Sequence, residues 1–301
     1  MATLLLLGSC GPASHGKVAS IGELPGPKAA PPAAPVDVSV IEPGREPRAP
    51  LRYRIRTGQS ESLVMEVGVQ MKLVVGDLAP AAPNPTVRVT MKVQALTGTP
   101  RLYLEGKIAK VEVVEDPAVP AALMTALRSD LDRLTGMKWL AHFTELGHLE
   151  TLGMPAPSDA NPQLQKTLDW IREGLRLLLP PLPLTPVGKN ARWQARRSAT
   201  IATARVEETA IYKLDGSALA VTLGMDAREQ PLHPGTPPGT ALVLSSFEGG
   251  GKGQIDLMLD HIVQPTTLRW AASGKGTATP AGEPPAPITL GLESAVVLKR
   301  K

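Results

Sequence analysis

The chain of 301 residues is 43% hydrophobic but only 3% aromatic, so a packed core is available and must be built from Val, Leu, Ile, Met and Ala. One cysteine excludes internal disulfides. The net charge of +4 is spread over interleaved cations and anions, with no dense basic run outside Lys299, Arg300 and Lys301, which speaks against nucleic acid as a partner.

The N-terminus begins with an apolar run that ends Leu7-Gly8-Ser9-Cys10. These residues resemble the bacterial lipobox, in which a Leu stands three residues before a Cys and small residues lie between, letting the backbone approach the signal peptidase. The resemblance implies that Cys10 receives a diacylglycerol, that the segment before it is removed, and that the new N-terminus is acylated. Gly11 rather than Asp follows the Cys, which by the same resemblance implies the outer membrane, with the body facing the periplasm or the cell surface. A signal peptide has a positive n-region and a longer apolar h-region. No Lys or Arg precedes Cys10, so the expected start codon lies upstream of Met1. Residues 1–10 are therefore read as a truncated signal segment.

Residues 11–50 contain Pro12, Pro25, Pro27, Pro31, Pro32, Pro35, Pro43, Pro47 and Pro50 with few large apolar residues. Such a composition cannot bury enough surface to order itself, and the stretch is expected to be a disordered tether. A coil of about 40 residues spans roughly 35 Å. Two or more acyl chains, at about 0.8 kcal/mol per buried CH₂, make a stable anchor where one is marginal. No run of 18 apolar residues occurs, so no membrane-spanning helix is expected.

From Leu51 the period is two. Leu51, Tyr53 and Ile55 alternate with Arg52, Arg54 and Arg56. Leu63 to Val75 and Val87 to Ala95 alternate in the same way, and a further strand is read from Leu102 to Val114, with a turn at Glu105-Gly106. Leu123, Met124, Leu127, Leu131 and Leu134 then recur at helical spacing, predicting a helix near 118–136 that stops at Gly136. A strand or hairpin covers Met137 to Thr151. A second helix is predicted near 161–179, with Asn161 as N-cap, Pro162 at the first position and Leu164, Leu168, Ile171, Leu175 and Leu178 as its apolar stripe. After Gly188 the predicted strands are 192–205, 207–214, 218–225, 241–247, 254–263, 267–273 and 288–298, with a hairpin turn at Asp215-Gly216 and loops at 227–240 and 274–287.

The expected fold is mostly β: a single domain over 51–301 with a large curved antiparallel sheet, or half-barrel, and two helices packed on one face. The first strand Leu51-Arg52-Tyr53-Arg54-Ile55-Arg56-Thr57-Gly58, the segment Phe143-Thr144-Glu145-Leu146-Gly147-His148-Leu149, and Val187-Gly188 followed by Trp193 resemble a family of uncharacterised bacterial β-rich lipoproteins, catalogued as a domain of unknown function. That likeness covers most of 51–225 and implies no catalytic residues. The architecture also resembles the periplasmic lipoprotein carriers, whose half-barrel holds lipid under a helical lid, by analogy of fold alone.

His142, Glu145 and His148 are the nearest approach to a metal cluster. On a strand, however, Glu145 faces away from the two histidines, so no metal is expected. Glu248-Gly249-Gly250-Gly251-Lys252-Gly253 lacks the Ser or Thr and the following helix of a phosphate loop and is read as a flexible hairpin loop. Asp256 and Asp260 share a strand face about 13 Å apart, too far for a glycosidase pair. There is no nucleophile elbow. Trp139, Trp170, Trp193 and Trp270 are the rare large side chains; the first three are candidates to line a ligand cavity, against a plain core role. The sequence therefore predicts a non-catalytic envelope lipoprotein without cofactor, either structural or a binding module at the membrane surface. The alternative is a carrier that holds a lipid or other apolar ligand between sheet and helices.

Overall fold

The structure, a computed structural model, describes residues 33–75, 85–114, 121–201, 204–227, 230–232, 241–279 and 284–301. Its strands are β1 (Asp37–Glu42), β2 (Arg45–Ala49), β3 (Ser60–Val75), β4 (Val87–Thr97), β5 (Arg101–Val113), β6 (Lys138–Thr144), β7 (Leu149–Gly153), β8 (Val187–Lys189), β9 (Arg192–Ile201), β10 (Ala204–Asp215), β11 (Ala218–Ala227), β12 (Gln230–Leu232), β13 (Ala241–Asp256), β14 (Thr266–Thr279) and β15 (Ala286–Arg300). Helix α1 (Ala121–Asp132) lies between β5 and β6, and α2 (Pro162–Leu175) between β7 and β8.

One antiparallel sheet runs β1-β9-β10-β11-β13-β14-β15-β3-β4-β5-β6-β7, with β12 added to β13; β2 and β8 form a separate ribbon. The sheet is open but tightly curled. The Ala33 N–H donates to the Glu150 carbonyl of β7 at 2.8 Å, and β1 begins four residues later at the opposite edge. Four residues span at most about 14 Å, so the two edges approach each other. The curl is also visible from inside. Val67 of β3 and Arg197 of β9 line one cavity, although six strand spacings separate them, about 29 Å in a flat sheet. The sheet thus wraps around α2, and the helices occupy its concave face.

Period-two alternation explains most strands: β4 buries Val87, Val89, Met91, Val93 and Ala95 and leaves Lys92 and Gln94 outside. Helix α2 follows its capping chemistry. Asn161 Oδ1 accepts the Leu164 N–H at 2.8 Å, Pro162 occupies the first turn, and Leu164, Leu168, Ile171 and Leu175 are buried. Gly174 is buried because the helix rests there on β3: a Cβ would lie 2.3 Å from Met65 Sδ. In α1, Met124, Leu127 and Leu131 face inward, and Leu134 is buried just past the helix.

Several expectations change. The tether read over 11–50 contains β1 and β2. Val36, Val38 and Val40 pack against the core, and β1 pairs with β9 through Val40↔Trp193, so three alternating valines outweigh the surrounding prolines once a partner strand is present. Residues 51–56 are extended but outside the ladder; Tyr53 and Ile55 are buried as alternation requires, while Tyr53 N–H donates to Glu145 and Arg54 N–H to Leu259. Glu105-Gly106 is not a turn but mid-strand in β5. Residues 248–253 are not a loop. They lie within β13, paired with β11 and β14. Gly249, Gly251 and Gly253 share the inward face with Phe247 and Ile255, opposite Ala272, Trp270 and Leu268. A Cβ on Gly251 would lie 2.5 Å from Trp270 Cβ. Glycine is needed where the curl crowds neighbouring strands on the concave side. Likewise β14 continues through the glycines to Thr279, and the strand read at 254–263 stops at Asp256.

The loop that follows, 257–265, is held by Glu61 of β3, whose carboxylate accepts from Ile262 N–H (3.1 Å), Val263 N–H (3.0 Å) and Gln59 Nε2 (2.9 Å) and faces His261 Nδ1 (3.0 Å). Burial raises its pKa, but these hydrogen bonds together outweigh burial and hold it below the usual carboxylate range. Glu61 therefore contributes stability above the unfolded-state pKa, and that stability is lost as pH falls through the lower folded value. Glu61→Gln is expected to cost about 2–3 kcal/mol at pH 7, the range for bonds to a buried charge. It should also speed hydrogen exchange at Ile262 and Val263. Unchanged exchange there would contradict the anchoring role.

Candidate functional site

The cavity between α2 and the sheet is lined by residues of seven strands and the helix. Trp170 and Leu177 line it from α2 and the turn after it, Trp270 and Leu268 from β14, and Gly253 and Ile255 from β13. Its volume is about 70 Å³.

Most of the lining is apolar, but four titratable side chains converge on it: Glu173 from α2, Arg197 from β9, and Glu208 and Tyr212 from β10. Arg197 and Glu208 are direct cross-strand partners. Their side chains make a bidentate pair, Nε–Oε1 and Nη2–Oε2 both 3.0 Å, and are only 17% and 14% exposed. Glu173 approaches Arg197 at 3.9 Å and Arg176 at 3.2 Å. Burial, reinforced by Glu208 and Asp169, outweighs both arginines and raises the Glu173 pKa. Burial would lower the Arg197 pKa, yet Glu208 and Glu173 hold it above its ordinary value, so it stays charged. Burial, then Glu208, pushes the Tyr212 hydroxyl up, so it stays protonated at neutral pH. The arrangement is a neutralised ion-pair network at the edge of a small apolar cavity.

Of the tryptophans proposed as cavity lining, only Trp170 lies there, joined by Trp270. Trp139 and Trp193 are core residues. Trp139 lies over Gly106, its cross-strand partner, with Nε1 3.3 Å from Met91 Sδ. Trp193 donates from Nε1 to the Pro181 carbonyl at 2.9 Å and stacks on Tyr212 with centroids 5.6 Å apart. Together with Tyr53, whose hydroxyl donates to Pro180 at 2.9 Å, it pins the proline-rich turn after α2. Trp193 thus ties that turn to the sheet, whereas Trp139 packs within the sheet between β4, β5 and β6.

His142, Glu145 and His148 do not converge. His142 stacks on Tyr103, centroids 4.1 Å apart, with Nδ1 2.7 Å from Glu150. Glu145 faces Arg52 at 3.4 Å. His148 is half-buried, and burial lowers its pKa. No His, Cys, Asp and Glu grouping among the described residues could hold a metal ion. Asp256 ends β13 and Asp260 sits in the following loop, so they do not share a strand face. Cys10 lies outside the described residues.

Sequence reasoning missed Glu173, Arg197 and Glu208. A signal existed: Trp193, Ala195, Arg197 and Ala199 share one strand parity, as do Val206, Glu208, Ala210 and Tyr212. In each strand a charge stands at an apolar register, a break in local consistency that marks strained or functional positions. No family model and no curated protein matches the chain.

Proposed function

We propose that the protein is a non-catalytic lipoprotein of the bacterial envelope, a structural or binding module held at the outer membrane by acyl chains on Cys10. The likeness of Leu7-Gly8-Ser9-Cys10 to a lipobox supports the anchor. The observation that carries the non-catalytic reading is the filled concave face. The cavity described there is about 70 Å³, well short of the roughly 300–1,000 Å³ of small-molecule sites. The cavity's carboxylates also face the arginines Arg197 and Arg176, whereas acid–base catalysis needs a group within reach of a substrate proton.

A second reading, a carrier for a lipid or other apolar ligand, is favoured by the cavity's place under α2 and its largely apolar lining. Such a ligand requires α2 to lift from β3, breaking the close contact of Gly174 with Met65.

The anchor is tested by fractionating a Gram-negative host that expresses the chain extended upstream to a complete export signal. The wild type is expected in the membrane fraction with a diacylglyceryl group on Cys10, and Cys10→Ser in the soluble fraction. Equal distribution of the two would overturn it.

A further inference from the structure

Alternation along each strand hides what the register places side by side. On the outer face, Lys92 of β4 pairs with Lys107 of β5, and Lys107 pairs with Lys138 of β6. Three like charges thus stand in a row, strands about 4.8 Å apart. Like charges directly opposite one another destabilise a sheet. Lys138 meets Glu105 at 3.3 Å, but among the described residues neither Lys92 nor Lys107 has an acidic partner. The outward positions of β4–β6 hold six Lys and Arg against Glu105 and Glu112, with Glu66 of the neighbouring β3 paired to Arg88.

The same face ends in an exposed apolar tip. Leu96 is 46% and Tyr103 44% exposed, and Tyr103 lies flat on His142. The described chain starts beside this face: Ala33 bonds to Glu150 of β7, the residue that holds His142. Cys10 lies 23 residues before Ala33.

We propose that the outer face of β4–β6 docks on an anionic bilayer, with the lysine row against the phosphates of lipid headgroups and Leu96 and Tyr103 at the interfacial layer. An aromatic and an aliphatic tip beside basic residues match the chemistry of that layer, where apolar groups enter and cations meet anionic lipid. The chain that carries Cys10 enters the described body at the neighbouring edge strand, β7, through Ala33. This docking deepens the membrane-surface reading above but does not require acylation, so the two can fail separately.

The test is co-sedimentation of the full chain carrying Cys10→Ser, which has no acyl chain. The vesicles are phosphatidylethanolamine with about 30 mol% phosphatidylglycerol, compared with phosphatidylcholine. Binding is expected only to the anionic vesicles and should weaken with added salt. The triple variant Lys92→Gln/Lys107→Gln/Lys138→Gln is expected to lose affinity on the order of a hundredfold, about fivefold per lysine, with an unfolding midpoint no lower than the wild type's, showing that it still folds. Three outcomes would each overturn the proposal: no binding to anionic vesicles, equal binding by the triple variant, or retention on soluble polyglutamate with none on vesicles. Soluble Cys10→Ser protein that still binds anionic vesicles, alongside wild type with no acyl group, would sink the lipid anchor and leave the docking face standing.

Discussion

Gly106→Val is expected to destabilise the protein by about 3 kcal/mol or more, at the upper end for overpacking a core. Gly106 lies directly across from Trp139 in the β5–β6 ladder. A Cβ there would meet indole atoms at 2.0–2.4 Å, and Trp139 is 1% exposed, with no room to retreat. Trp139→Ala alone should cost about 3–5 kcal/mol through the cavity it leaves. In the Trp139→Ala background, adding Gly106→Val should cost less than about 1 kcal/mol, because the valine enters vacated space. This non-additivity between contacting residues is the specific signature, read from urea unfolding of the four chains. Additive costs would show that the two residues do not touch.

Arg197→Met is expected to cost about 3–5 kcal/mol at neutral pH, the range for removing one member of a buried pair. Methionine keeps much of the stem's volume but leaves Glu208 without its bidentate partner and takes one of two cations from Glu173. The pH dependence gives the sign. Glu173 is held above the usual carboxylate range by burial, so its folded form binds a proton more readily than the unfolded chain. Its ionised form therefore lowers stability above the folded pKa, and that penalty is relieved as pH falls toward the unfolded value. Without Arg197 the penalty deepens. The variant should regain part of its lost stability between pH 7.5 and pH 5, more than the wild type gains over the same interval. A deficit independent of pH would mean that Arg197 acts through packing alone.

The layout was legible where one element decides its own structure. Asn161, Pro162 and the leucine stripe define α2 with no help from outside, and the alternation of β4 fixes which residues face inward. The large curved sheet with two helices follows from those patterns. What stayed hidden depends on partners distant in sequence. Gly249 to Gly253 has a loop's composition and becomes strand only because β11 and β14 flank it. The valines before Glu42 sit among prolines, and β9, about 155 residues later, supplies their ladder. Trp139 and Trp193 looked like cavity walls because they are rare, but their nitrogens hold Met91 and Pro181. The Arg197–Glu208 pair and the lysine row are both cross-strand relations, which a period of two along one strand cannot reveal.

Native mass spectrometry tests the filled concave face most directly. The sample is the full chain with Cys10→Ser, exported through a bacterial periplasm so that it meets envelope lipids, followed by solvent extraction. A concave face already packed by α1, α2 and the proline-rich turn predicts the bare protein mass and no extracted lipid in stoichiometric amount. One phospholipid or other apolar molecule per chain would contradict it, and would make α2 a lid over a larger cavity, with Trp170 and Trp270 at its mouth.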